Sequence, residues 1–331
     1  MIGYYLKYWG IREPVFHRSL NPSECFIPQR YQRYLDHLLI LSQQPYTIQI
    51  LTGQGGLGKS SLARWIYSQT PPSKTDCYLL TLHKPESEPG WLIRGVAEFL
   101  AGPGKDKECV RKHTARGLDQ LREEKRSLLI IIDAAENLQK ACCFSDILHI
   151  HNLAYLSGSH FSVLLAGREP PDAVTGVPEL LRNKVTLHWS MPPLSRRDAG
   201  HYLKWYCYQS KMKKNPFSPQ SVDALYKYSQ GIPAVLNALA ENCLIEAALK
   251  KTRLVHPDIV ENMYQMSGRG IPPKATPSAQ KPGGPPPAPP GGKISTENKH
   301  PGNQEPLPWD QEKSRDPDSP AEIGFSLFEE P

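Results

Sequence analysis

The chain has 331 residues, 39% of them apolar in the broad sense, and a formal net charge of +6. That length holds one large domain or two smaller ones. It excludes a small disulfide-stapled scaffold, because Cys25, Cys77, Cys109, Cys142, Cys143, Cys207 and Cys243 show no CxxC pair, no metal-ligand spacing and an odd number that fits a reducing compartment.

The opening MIGYYLKYWGIREP lacks the apolar core of a signal peptide. No run approaches the roughly 20 apolar residues that span a bilayer, so the expectation is a cytoplasmic protein without a membrane span. Tyr31 to Gln43 has helical spacing, TIQILTG (47–53) has the pattern of a buried strand, and SSLARWIYSQ (60–69) returns to helical spacing before Pro71 and Pro72. DCYLLTLH (76–83) reads as a second strand, followed by helices at 91–102 and 113–125. LLIIID (128–133) is a third strand, and a helix around 142–156 precedes the strands FSVLLAG (161–167) and KVTLHW (184–189). Strands that are apolar throughout and separated by helices predict a parallel sheet covered on both faces.

From Ser195 the strand signal ends. Ser195 and Asp198 have capping spacing at a helix start, and 218–230, 232–250 and 256–266 are also helical in pattern. The fold class expected is therefore an α/β domain followed by a small all-α domain. The boundaries are 1–44 for an N-terminal element and helix, 45–193 for the α/β domain, 194–267 for the all-α domain and 268–331 for a tail.

After Gly268 fall 15 of the 33 prolines, with seven Lys/Arg against nine Asp/Glu. A tail near −2 leaves a body near +8, in which KMKK at 211–214 is the one tight cationic run. The tail composition predicts disorder. Its end, IGFSLFEEP (323–331), is read either as a frayed terminus or as a peptide that docks on a protein partner.

GQGGLGKS at 53–60 satisfies G-x-x-x-x-G-K-[ST], with a buried strand before it and a helix after. Glycines at this spacing let successive amide N–H groups converge on phosphates, and the following helix adds its positive end. The nucleotide-binding residues expected are Gly53, Gln54, Gly55, Gly56, Leu57, Gly58, Lys59, Ser60 and Ser61. Lys59 would reach the β- and γ-phosphates, and Ser60 with Asp133 would hold Mg²⁺. His83, His149 and His151 have no third ligand at metal-binding spacing.

With these motifs in hand the chain resembles AAA+ ATPases of the general secretion pathway protein A (ExeA/GspA) type, related to TniB/TnsC-like AAA+ proteins. WGIREPVF, NPSECFIP, GQGGLGKS, DAAENL, LLAGREPP, PPLSRRDAGHYL and GIPAVLNALAENCLIEAAL occur in the family's order across roughly residues 5–267. The resemblance implies ATP and Mg²⁺, a homo-oligomer, and an ATPase acting as a cytoplasmic motor or switch in secretion- or pilus-type envelope assembly. It also marks departures. The glutamate that usually follows the magnesium aspartate is Ala134, leaving Glu136 as the substitute base. The strand-end position that senses the γ-phosphate is Arg168, which could contact phosphate or pair with Glu169. The lid arginine is Ala234. Arg182 stands where an arginine finger is carried. Ala134 and Ala234 support an alternative, a nucleotide-dependent binding module with little hydrolysis. Net charge and kinship support a third, a DNA-transposition-type regulator with DNA as partner.

Overall fold

The structure is a computed structural model that describes residues 2–16, 25–84, 88–101, 110–138, 141–168 and 179–268. The proline-rich tail, IGFSLFEEP and Glu169 lie outside the described residues.

Five parallel strands, β1 (Thr47–Thr52), β2 (Thr75–Thr81), β3 (Ser127–Asp133), β4 (His160–Ala166) and β5 (Val185–Ser190), form one sheet in the order β2-β3-β4-β1-β5. The apolar run of β3 is fully buried because alternate side chains feed two different cores. Leu128, Ile130 and Ile132 point into one cluster with Ile48, Phe161 and Val163, while Leu129 and Ile131 point into another with Leu51, Leu62 and Leu164. The first face is covered by α4 (Trp91–Ala101), α5 (Val110–Glu123) and α6 (Ala141–Ser157), the second by α2 (Gln32–Ser42) and α3 (Lys59–Gln69). Edge strand β5 departs from the expectation of an apolar run. Its residues alternate towards solvent, with Trp189 buried, because an edge strand lacks a neighbour on one side.

After a single-turn helix α7 (Glu179–Arg182) and β5, four helices follow: α8 (Arg196–Gln209), α9 (Pro219–Ser229), α10 (Pro233–Leu249) and α11 (Pro257–Met266). The capping box at the start of α8 is formed, Ser195 accepting from the Asp198 N–H and Asp198 from the Ser195 N–H. The N-terminus holds a helix that periodicity did not announce, α1 (Ile2–Trp9), and residues 2–16 share the core of these C-terminal helices. Glu241 on α10, 3% exposed, is the anchor: it accepts from the Tyr5 hydroxyl at 2.5 Å and from the Phe16 N–H at 2.7 Å. Burial and the Glu241 carboxylate push the Tyr5 phenol well above its ordinary range. Trp9 Nε1 donates to the Leu244 carbonyl at 3.0 Å. Residues 2–16 therefore belong physically to the lid, while α2 belongs to the sheet.

Candidate functional site

Leu51, Ala166 and Asp133 lie in register across β1, β4 and β3, and the Gly167 N–H donates to the Leu51 carbonyl at 2.9 Å. The loop after β1, the residues after β4 and the end of β3 thus emerge together at the carboxyl edge of the sheet, the general location of ligand sites in open α/β sheets.

The loop Gly53–Gly58 opens directly into α3. Gly58, with φ 99°, caps that helix in the left-handed region and aims its first N–H groups into the loop. Lys59 is 8% exposed and donates from Nζ to the carbonyls of Gly53 at 2.7 Å and Gln54 at 2.9 Å. Ser60 Oγ donates to Asp133 Oδ1 at 3.0 Å, and Asp133 is itself 4% exposed. A hydroxyl and a buried carboxylate converging beside a loop of main-chain donors match the donor set of Mg²⁺ with polyphosphate.

Beyond Asp133 the chain turns. Ala134 adopts the left-handed conformation (φ 59°, ψ 42°), its N–H donating to Asp133 Oδ1 at 3.0 Å, and residues Ala135–Asn137 form a single 3₁₀ turn. The turn swings Glu136 towards β4. Its carboxylate accepts from the Arg168 N–H at 3.0 Å and lies 3.3 Å from Arg168 Nε. Arg168 is thus paired with Glu136, while Glu169, the other partner weighed for it, lies outside the described residues. Two candidate residues from different strand ends are therefore one ion pair, and both line the same cavity. Arg182 is exposed at the end of α7 and does not line that cavity.

The cavity encloses about 490 Å³ between the loop, the segment 25–35 and the lid, a volume in the range of cofactor sites. Ala234, the second residue of α10, donates its N–H to the Gly56 carbonyl at 3.1 Å, so the lid helix rests directly on the phosphate loop. A Cβ on Gly56 (φ 83°) would stand 2.9 Å from the Ala234 methyl and 3.2 Å from Ile232 Cγ2. Sequence reasoning missed the opposite wall. Ile27, Pro28, Tyr202, Tyr206 and Asn237 all line it. The aromatic run YLKWYCY (202–208) serves the lid core and the cavity together: Tyr202 is 7% exposed in the lid core, yet it borders the cavity with Tyr206. Burial, then the neighbouring Tyr206, push the Tyr202 phenol well above its ordinary range. Asn237 Oδ1 is buried without a partner among the described residues, an acceptor that a ligand amine would satisfy. Cys25, also on the wall, has its thiol pushed up to about 11 by burial.

A parallel sheet with the phosphate loop after β1, an acid at the end of β3 and a helical lid over both is the architecture of the P-loop fold in its AAA+ form. Residues 43–172 match the family described as an AAA domain. The chain is 26% identical over 274 residues to General secretion pathway protein A of Aeromonas hydrophila, which covers 80% of this chain and 49% of that protein. These matches bear out the resemblance to the general secretion pathway protein A type. This chain spans about half the length of that relative. Among solved structures, the Aeropyrum pernix ORC2 protein in ADPNP–ADP complexes aligns with a TM-score of 0.58 at 12% identity, covering 76% of this chain and 71% of that one. Cdc6p from Pyrobaculum aerophilum aligns with a TM-score of 0.58 at 17% identity, covering 79% and 73%. The likeness to these structures is one of fold.

Proposed function

We propose that this chain binds Mg·ATP between sheet and lid and works as a nucleotide-driven switch or motor in the assembly of secretion- or pilus-type envelope machinery. The observation that carries the binding is the 3.0 Å approach of Ser60 Oγ to Asp133 Oδ1 beside the loop amides, inside one cavity. In this reading the main-chain N–H groups from Gly53 to Ser61 hold the phosphates, Lys59 exchanges its two carbonyls for phosphate oxygens, and Ser60 and Asp133 hold the cation. Bound Mg²⁺ neutralises charge on the β- and γ-phosphate oxygens. Ile27, Pro28 and Tyr206 would line the base, and Asn237 Oδ1 would accept from its amine. The envelope role rests on the relative's name.

Hydrolysis falls to Glu136, since Asp133 and Glu136 are the carboxylates among the described residues lining the cavity. A base acts within about 3 Å of its water. Glu136 is held instead by Arg168, so turnover requires the guanidinium to leave it for the γ-phosphate. Slow turnover by the isolated chain follows. The methyl groups at Ala134 and Ala234 favour a second reading, a binding module in which ATP holds the lid on Gly56 and little is hydrolysed. A homo-oligomer with Arg182 reaching a neighbour's site, and a protein partner engaged by the tail, belong to the first reading. A DNA-transposition-type regulator would bind DNA with steep salt dependence.

The test measures ATP binding and hydrolysis side by side. Lys59→Ala should abolish binding, and Glu136→Gln should abolish hydrolysis while binding survives. Robust hydrolysis by Glu136→Gln removes Glu136 as the base. Turnover gained by Ala134→Glu from an inactive wild type establishes the binding-module reading.

A further inference from the structure

The cationic run KMKK has no place in the nucleotide site, yet the fold gives it a partner. The loop after α8 and the loop after α10 meet where the Val255 N–H donates to the Pro216 carbonyl at 2.9 Å and Phe217 pairs with Val255 in an isolated parallel bridge. Two basic runs distant in sequence, KMKK and KKTR (250–253), are thereby joined. Neither Tyr208–Phe217 nor Ala247–His256 contains a carboxylate. Lys211, Lys213, Lys214, Lys250, Lys251 and Arg253 are all exposed. Lys250 reaches Glu246 at 3.3 Å, and Arg253 stacks 4.0 Å over the Tyr8 ring and hydrogen-bonds the Tyr8 carbonyl. The other four have no carboxylate partner among the described residues.

Large apolar side chains are interleaved with these charges. Tyr208 is 78% exposed, Leu249 55% and Leu254 39%. Tyr4, 47% exposed on α1, lies alongside, its hydroxyl donating to the Ala248 carbonyl at 3.3 Å. Exposed aliphatics grouped with lysines are what distinguish this end of the lid. A polyphosphate backbone is matched by cations alone and gains nothing from Leu249 or Leu254. A lipid surface with anionic headgroups uses both: the aliphatics enter the headgroup–acyl boundary while flexible lysine stems keep their charges at headgroup depth. Lysine is also suited to diffuse headgroup charge, whereas bidentate phosphate recognition favours arginine.

We propose that this end of the helical lid docks on an anionic lipid surface. Ala234, which touches the phosphate loop, and Lys250 lie at opposite ends of α10, roughly 25 Å apart at 1.5 Å per residue. A docked lid therefore leaves its contact with the phosphate loop at the far end of α10 from the lipid surface.

The full chain is sedimented with vesicles of phosphatidylcholine alone and of phosphatidylcholine mixed with phosphatidylglycerol. Binding is expected to the mixed vesicles only. A lysine near an anionic surface is worth about fivefold in partitioning, so Lys213→Ser/Lys214→Ser and Lys250→Ser/Lys251→Ser should each lower binding roughly 25-fold. Leu249→Ser/Leu254→Ser should lower it several-fold with every charge kept. Unchanged ATP binding by each variant shows that it is folded, and it separates this test from that of the nucleotide site. Failure to bind the mixed vesicles overturns the proposal. So does binding that ignores the leucine substitutions while duplex DNA is retained with steep salt dependence, the signature of a nucleic-acid interface.

Discussion

Gly56→Ala is the substitution that most directly tests whether the lid rests on the phosphate loop. Alanine at φ 83° meets the left-handed penalty of about 1–2 kcal/mol. Its Cβ would also stand 2.9 Å from the Ala234 methyl and 3.2 Å from Ile232 Cγ2, and overpacking of that kind costs about 1 kcal/mol or more. Together these disfavour the closed lid by about 2–3 kcal/mol, or roughly 30- to 150-fold in its population. The assay is a titration with a fluorescent ATP analogue, together with hydrogen exchange at the Ala234 amide, which donates to the Gly56 carbonyl at 3.1 Å. Affinity should fall by that factor, and the amide should exchange faster. Adding Ala234→Gly removes the methyl–methyl collision and should restore about fivefold, leaving the backbone penalty in place. An unchanged affinity in Gly56→Ala, or no recovery in the double variant, would refute direct lid-to-loop contact.

Three other outcomes follow from the same geometry. Ser60→Ala and Asp133→Asn should each weaken ATP binding in the presence of Mg²⁺ far more than in its absence, measured by calorimetry with and without chelator. Glu241→Ala leaves the Tyr5 hydroxyl and the Phe16 N–H buried without an acceptor; it should cost about 2–4 kcal/mol in chemical denaturation and speed exchange across residues 5–16 first. The thiols of half-buried Cys25, at about 11, half-buried Cys77, at about 12, and buried Cys207 and Cys243, at about 12, are raised above the ordinary 9.0 chiefly by desolvation. Their folded values exceed their unfolded ones, so the stability they contribute is intact below pH 9.0 and lost as pH rises through about 11–12. Alkylation of these four thiols in the folded chain should be slow near neutrality, and a midpoint of denaturation that rises between pH 9.0 and 11 would contradict this.

The loop and the strands were legible because their signals are contiguous. GQGGLGKS must carry glycines at set positions whatever surrounds it, and Gly56 and Gly58 do take positive φ. LLIIID had to be a strand buried on both faces, and β3 is. Ser195 and Asp198 stated their capping box within four residues. The side-chain pairings were not legible. Helical periodicity marks Tyr202 and Tyr206 as inward-facing, but one face of α8 serves both a core and a cavity, and no pattern separates the two. Spacing alone also left the direction of Glu136 open, because it does not show that Ala134 turns the chain before it.

By itself the amino-acid sequence determined the chemistry on offer: a phosphate loop, a strand-end aspartate, a helical lid and a basic body. Those properties reside in short stretches whose dihedral preferences and apolar period act over a few residues. Only the tertiary structure decided which groups meet. It put Tyr5 and Phe16 on Glu241, 236 and 225 residues away. It joined Glu136 to Arg168, set Ala234 on Gly56, and brought KMKK beside KKTR. Such pairings depend on how whole elements close over shared cores, and that closure is a property of the packed chain, not of any one segment.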